Sequence, residues 1–399
     1  MSLNETPSGE RLHIGFFGCR NAGKSSLVNA VTGQDLAVVS AVRGTTTDPV
    51  RKAMELLPLG PVVIIDTPGF DDAGELGEKR VSKTKQILAR TDIAVLVVDG
   101  SAGLTPSDRQ LLEIFQEKRV PYLIAYNKCD LGFPPPDGEN SIAVSALSGI
   151  NIFELKERIG HLVEEKAPKR LLGDLLQPND FAVLVTPIDE SAPKGRMILP
   201  QQQAIRDVLD SGAICVVTKE TELAQTLDGL KKPPAVVVTD SQAFAVVSKI
   251  VPDELPLTSF SILMARYKGF LKTAVEGMAS LDRLRDGDRV LIAEGCTHHR
   301  QCNDIGTVKI PRWLHSLNGK TLDVHTCSGN EFPEDLSPYS LVIHCGGCML
   351  NEREMLSRMD RAVRQDIPFT NYGTFIAGVT GTLERSLRLF PDIHALLAE

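Results

Sequence analysis

The sequence has little of what nucleic-acid and membrane proteins rely on. It contains one tryptophan, Trp313, and aromatic residues make up 5% of its 399 residues, too few for the stacking platforms that hold single-stranded nucleic acid. It has no excess of positive charge: 43 Lys and Arg stand against 51 Asp and Glu, a formal net charge of −8. A chain with this balance has no overall attraction to nucleic acid or to an anionic membrane, although a local basic patch remains open. No apolar run approaches the ~20 residues of a membrane-spanning helix. The polar stretch from Met1 to Arg11 holds no apolar core of a secretion signal. Together these absences predict a cytoplasmic protein that engages neither membrane nor nucleic acid.

What is present is ordinary globular material, 42% apolar and 24% charged, which excludes wholesale disorder. At about 150 residues per domain the length suggests two or three domains. There are eight cysteines, and five of them fall between Cys296 and Cys348. In a reducing compartment such clustering points to metal or redox chemistry more than to disulfides.

Residues 1–168 alternate short apolar runs with helical patterns. The runs are Ile14–Phe17, Val62–Ile65, Ile93–Val98, Tyr122–Tyr126 and Ile142–Val144. This is the βαβ rhythm of a parallel sheet buried on both faces. A charged, proline-bracketed stretch follows. A second unit, 178–258, repeats the alternation at Phe181–Val185, Ala213–Val217 and Ala235–Val238, which predicts a three-stranded parallel sheet without a catalytic motif. In a third unit, 262–399, the strand-like runs Arg289–Ala293 and Ser340–His344 each lead into a cysteine. There Glu352–Gln365 reads as a helix with Met355, Leu356, Met359 and Val363 on one stripe.

The first run leads into Gly18-Cys-Arg-Asn21-Ala22-Gly23-Lys24-Ser25, and a helical pattern continues from Ser26. Strand, G-x-x-x-x-G-K-[ST] and helix in that order make a P-loop, whose backbone N–H groups and helix N-terminus cradle phosphates. Lys24 suits the β- and γ-phosphates, and the Ser25 hydroxyl suits Mg²⁺. Asp66-Thr-Pro-Gly69 ends the second run. There Asp66 can orient Mg²⁺ through water, and the Gly69 N–H can sense the γ-phosphate. Asn127-Lys128-Cys-Asp130 ends the fourth run, where a carboxylate can accept from guanine N1–H and its 2-amino group. Adenine lacks both donors, so a buried Asp130 would reject it. Ser145-Ala146 ends the fifth run, where a backbone N–H can meet the guanine O6. Gly44-Thr-Thr46-Thr-Asp48 lies where the first switch belongs, with Thr46 the candidate Mg²⁺ ligand.

These elements occur in the order of the small GTPases, and residues 12–165 resemble that superfamily. The chain is therefore read as α/β: an N-terminal P-loop GTPase domain followed by two smaller parallel-sheet α/β domains. Phe70 stands where Ras-like enzymes carry a water-positioning glutamine. Asn21-x-Gly-Lys-Ser is similar to the loop of tRNA-modification and ribosome-assembly GTPases, several of which hold K⁺ through that asparagine. The resemblance implies that K⁺ at Asn21 replaces an arginine finger in a slow, K⁺-stimulated GTPase.

The third unit carries Cys296-Thr-His298-His299 and His344-Cys345-Gly-Gly-Cys348, each at the end of a strand. In a parallel sheet such ends share one edge. The ligand chemistry alone suits either a closed zinc site or an Fe–S cluster. Cys302 and Cys327 read as bystanders.

Taken whole, a GTPase with N-x-G-K-S, an unmarked α/β unit and then C-x-H…H-C-x-x-C resembles the HydF family of [FeFe]-hydrogenase maturation GTPases. The resemblance implies a [4Fe–4S] cluster on Cys296, Cys345 and Cys348, with His298 and His344 as further candidate ligands. It also implies a homodimer formed through the middle unit. In that family the protein holds a di-iron subcluster precursor, receives its components from radical-SAM maturases and passes it to the apo-hydrogenase. Nucleotide state would gate partner affinity. Two rival readings are an RNA-modification or ribosome-associated GTPase with a structural zinc domain, and a redox enzyme. The acidic balance opposes the first. The three-cysteine count opposes the second.

Overall fold

The computed structural model describes residues 8–33, 50–70, 83–133, 138–163, 169–188, 197–295, 304–329 and 331–397. The chain divides into two compact units, Met1–Ala167 and Pro168–Glu399. Among the described residues no helix is long and apolar enough to cross a membrane.

The first unit is built on a six-stranded sheet. Its strands are β1 (Leu12–Phe17), β2 (Val50–Leu56), β3 (Gly60–Asp66), β4 (Ile93–Asp99), β5 (Tyr122–Asn127) and β6 (Ser141–Ala143), in the order β2-β3-β1-β4-β5-β6. All pairings are parallel except β2 with β3. Successive residues of the central strands feed opposite faces, as a doubly covered sheet requires. Ile14, Phe16, Val95 and Val97 pack on one face; Phe17, Ile65, Leu96 and Val98 pack on the other. The antiparallel edge strand β2 was not expected. Its sequence, V-R-K-A-M-E-L, interleaves charge with apolar residues, as an edge with one covered face does.

The second unit holds two four-stranded parallel sheets. The first contains β7 (Phe181–Val185), β8 (Ile214–Thr218), β9 (Val236–Thr239) and β10 (Leu257–Ser259), in the order β10-β9-β7-β8. The second contains β11 (Arg289–Glu294), β12 (Asp323–Ser328), β13 (Leu341–His344) and β14 (Phe369–Asn371), in the order β12-β11-β13-β14. Where three strands were expected in the middle segment there are four, because β10 lies just beyond the prolines that seemed to end it. One apolar cluster joins the two sheets: Leu184, Val236 and Phe260 share it with Leu291, Val342 and Phe369. Helix Leu271–Met278 approaches β14 closely. A Cβ on Gly277 would lie 2.1 Å from the Phe369 carbonyl oxygen, so no side chain fits there.

The helix expected at 352–365 spans Glu352–Val363. Its buried stripe differs from the apolar one read from the sequence. Val363 is exposed, whereas Arg358 is buried beside Met355 and Ala362. The guanidinium has partners inside, described below.

Candidate functional site

The nucleotide motifs converge at the carboxyl edge of the first sheet. β1 delivers the loop 18–25, β3 delivers Asp66, β5 delivers Asn127–Asp130 and β6 leads to Ser145–Ala146. The loop folds as it does because of its glycines. Gly18 has φ +140, and a Cβ there would lie 2.2 Å from the Val97 carbonyl oxygen. Gly23 has φ +86, and its Cβ would meet Asn127 Nδ2 at 2.3 Å. Left-handed backbone and contact at that range both select glycine.

Lys24 is buried, and its Nζ donates to the carbonyls of Gly18 (3.0 Å) and Cys19 (2.7 Å). Ser25 Oγ donates to Asp66 Oδ2 at 2.6 Å. Asp66 is 3% exposed, and its Oδ1 has no hydrogen-bond partner among the described residues. Burial raises its carboxyl above the usual range, while the Ser25 hydroxyl and the cations Lys24 and Lys52 oppose that shift. A buried, half-satisfied carboxylate beside a serine hydroxyl fits a hard cation, and thus Mg²⁺. Asn21 on the loop and Ser26 in helix Lys24–Thr32 are exposed, and Asn21 has φ +61. Gly69 packs on Arg20; a Cβ there would fall 2.9 Å from Arg20 Cγ. Phe70 is 1% exposed and lies in the core, so it places no group among the phosphates.

Asn127 ties the site together. Its Nδ2 donates to the Ala22 carbonyl (3.0 Å), and its Oδ1 accepts from the Ala146 N–H (3.0 Å). One buried amide thus fixes the phosphate loop against the base-recognition loop. Lys128 pairs with Asp99 at 2.5 Å. Ser145 is fully buried and accepts from the Ser148 N–H. Asp130 is exposed among the described residues, not buried as its role in rejecting adenine requires, so a bound base would have to cover it. Thr46, with Gly44–Asp48, lies outside the described residues.

Sequence reasoning missed Cys19. Its thiol lies 3.3 Å from both Thr105 Oγ1 and Asp108 Oδ1. Those two residues cap helix Pro106–Glu117 through a capping box, so the phosphate loop is fastened to a helix start far along the chain.

In the second unit β13 ends at His344 and the loop Cys345–Cys348 follows. The Cys345 N–H donates to the Ala293 carbonyl on β11 at 2.8 Å. Its Sγ accepts from the N–H groups of Gly295 (3.0 Å) and Gly347 (3.4 Å). Burial pushes this thiol up, and the two N–H donors pull it back. Backbone donors aimed at sulfur suit a thiolate ligand, so Cys345 and the half-buried Cys348 fit either an Fe–S cluster or zinc. Cys296, His298, His299 and Cys302 lie outside the described residues, and among the described residues no three metal-binding side chains converge. Cys327, at the end of β12, is pushed up to about 11, chiefly by burial.

His344 has both ring nitrogens engaged. Nε2 faces the Arg358 guanidinium at 3.2 Å, and Nδ1 faces the Cys345 carbonyl at 2.8 Å. Arginine can only donate, so Nε2 accepts and the proton sits on Nδ1. The ring is fully buried and stacked on Phe369. Burial, then Arg358, lowers its pKa to about 3. In this arrangement the imidazole offers no lone pair to a metal; it orients the Cys345 backbone. Two further residues were unmarked in the sequence. Glu294 is 4% exposed and accepts from Tyr372 Oη at 3.3 Å. Tyr372 and Cys348 line one cavity of about 470 Å³.

Comparison with known proteins matches three family models in succession. Residues 13–128 match a 50S ribosome-binding GTPase model. Residues 171–269 match the hydrogen maturase F dimerization domain, and residues 272–389 its tetramerization domain. The two maturase models together span more than half of the chain. The chain belongs to the hydrogen maturase F (HydF) family. It carries a P-loop GTPase domain followed by parallel-sheet α/β regions. The two maturase models are described as dimerization and tetramerization domains, and a tetramerization segment was not anticipated from the sequence.

Similarity to individual proteins covers part of the chain. The tRNA modification GTPase MnmE of Chromobacterium violaceum is 37% identical over 162 residues, 38% of this chain and 36% of that protein. MnmE of Laribacter hongkongensis is 35% identical over 154 residues, 37% of this chain and 34% of that protein. The chain thus spans about a third of the length of these curated relatives. The crystal structure of a probable GTP-binding protein engB is 27% identical, with a TM-score of 0.33 over 39% of this chain and 100% of that one.

Proposed function

We propose that this maturase is a GTP-hydrolysing scaffold that carries a [4Fe–4S] cluster, assembles a di-iron subcluster precursor and transfers it to apo-[FeFe]-hydrogenase. The observation that carries the reading is the Cys345 thiol accepting two backbone N–H bonds at a parallel-strand end, in a chain of this family. Cys296, Cys345 and Cys348 hold the cluster. His344 sets the loop and His298 remains a candidate ligand. Radical-SAM maturases supply the precursor's components. The segment 178–258 forms the dimer, and 262–399 carries the cluster alongside its oligomer contact. The test is anaerobic purification with iron, sulfide and zinc analysis. About four irons and four sulfides per chain are expected, lost in Cys345→Ala while GTP hydrolysis persists. About one zinc and no sulfide would make the loop structural and overturn the reading.

In the first unit, Lys24 and the loop N–H groups of Gly18, Ala22, Gly23, Ser25 and Ser26 hold the phosphates. Ser25, Thr46 and Asp66 would hold Mg²⁺, which would supply charge neutralisation to the phosphates. Gly69 reads the γ-phosphate; Asn127, Lys128, Asp130, Ser145 and Ala146 frame guanine. GTP hydrolysis releases the switch residues and alters partner affinity. With Phe70 sunk in the core, no side chain at that position can orient water. Asn21 therefore holds K⁺ to stabilise the transition state. Replacing Na⁺ with K⁺ is expected to raise the hydrolysis rate on the order of 10- to 100-fold, below the 10²–10³ of a fixed oxyanion donor. Equal rates in the two salts would remove Asn21 from this role.

A further inference from the structure

Lys268 follows helix Phe260–Tyr267 and belongs to the segment matched by the dimerization-domain model. It is 3% exposed, and its Nζ donates to the carbonyls of Gly347 and of Leu350, the latter at 2.6 Å. Both carbonyls lie in or just after the loop that carries Cys345 and Cys348. Only glycine fits at 347: its φ is +62, and a Cβ there would meet Met355 Sδ at 2.8 Å. Its N–H meanwhile points at Cys345 Sγ at 3.4 Å. One peptide thus faces the thiol with its donor, while the next faces a buried ammonium with its acceptor. A lysine is rarely taken out of water in this way.

We propose that Lys268 is a positioning residue of the cluster site, contributed by the segment otherwise concerned with dimerisation. It fixes the Gly347 carbonyl, so that the N–H donors stay on Cys345. Its charge also favours the reduced cluster. A [4Fe–4S] core on three thiolates carries one net negative charge when oxidised and two when reduced, so a nearby cation in a low-dielectric site raises the reduction potential. The middle segment therefore completes the site rather than merely joining protomers. The inference rests on reading the loop as a cluster site.

The test compares the full-length wild type, Lys268→Gln and Lys268→Met, each loaded anaerobically. Glutamine keeps an N–H donor for the carbonyls and removes the charge. It is expected to retain iron normally but to show a more negative midpoint potential in an EPR-monitored titration. Methionine removes both, and is expected to add iron loss to a chelator about tenfold faster. If Lys268→Met does not fold by circular dichroism, Lys268→Ala takes its place in the iron-loss measurement, and the glutamine variant decides the charge role. A glutamine variant with the wild-type potential overturns the charge role; a folded methionine variant with the wild-type iron-loss rate overturns the positioning role. A wild type that takes up no iron overturns the cluster reading and this inference with it, whereas a loaded wild type matched by both variants overturns only Lys268.

Discussion

Asp130→Asn is expected to convert a guanine-nucleotide site into a xanthine-nucleotide site. Under the proposed reading the carboxylate accepts from guanine N1–H and the 2-amino group. Hydrogen bonds to a charged partner contribute about 1.5–3 kcal/mol each. Losing two of them lowers GTP affinity roughly 10²- to 10⁴-fold, at about 1.4 kcal/mol per decade. An asparagine amide instead donates to the xanthine 2-oxygen while its carbonyl still accepts from N1–H, so XTP affinity rises as GTP affinity falls. The variant is a clean probe because Asp130 is exposed, and exposed substitutions away from structural contacts rarely disturb folding. Asn127 is the opposite case. It is 3% exposed and bridges Ala22 to Ala146. Its replacement by alanine would unfasten the phosphate loop from the base loop and weaken every nucleotide alike. Fluorescent-nucleotide titration with GTP and XTP separates the two. A parallel fall in both affinities for Asp130→Asn would show that the carboxylate does not read the base.

The nucleotide site was legible because its chemistry sits in short motifs directly after strands, where residue type and order carry the information. The same holds for Cys345 and Cys348, which follow β13. What escaped has physical reasons. β10 and β14 are three residues long, fewer than two periods of a strand alternation, so no periodicity marks them. β12, D-V-H-T-C-S, is an edge strand with a mostly polar sequence. Cys19 and Asp108 meet across the fold, and neither carries a local sign of the other. The largest omission was buried charge. Arg358 sits at a helix position that reads as solvated, and only the partners supplied by β13 and the loop after β12 reveal that it turns inward. Lys268 and Glu294 escaped for the same reason. A sequence shows which residues carry charge; only the fold shows which charges are enclosed.

Arg358→Met is expected to destabilise the second unit by about 3–5 kcal/mol, the usual cost of breaking a buried ion pair by removing one partner. For a unit of this size that lowers its melting temperature by roughly 6–20 °C. The cost arises from the groups left behind. Glu354 Oε1 (2.8 Å), the Gly329 carbonyl (2.5 Å) and His344 Nε2 (3.2 Å) all lose their donor, and the guanidinium leaves its place over the Phe332 ring. Glu354→Gln combined with Arg358→Met removes the stranded carboxylate and should recover part of the loss. Lysine should not substitute well, since its compact ammonium lacks the planar fork with which the guanidinium reaches three separate acceptors. The pH dependence supplies an independent check. His344 is held at about 3, by burial first and then by Arg358. Its imidazole takes a proton more readily in the unfolded chain, near 6.5, so its contribution to stability falls as pH drops from about 6.5 towards 3. Removing Arg358 raises the folded value, because one of the three causes that lower it is gone while burial and the Lys268 charge remain. The acid-side loss should therefore become shallower in the variant even though the variant is less stable at neutral pH. Calorimetry at several pH values resolves both effects. A variant that loses stability with an unchanged acid slope would mean that Arg358 packs the helix against Phe332 without acting on His344. The chain of contacts from the helix through the imidazole to the Cys345 carbonyl would then carry no charge coupling to the cysteine loop.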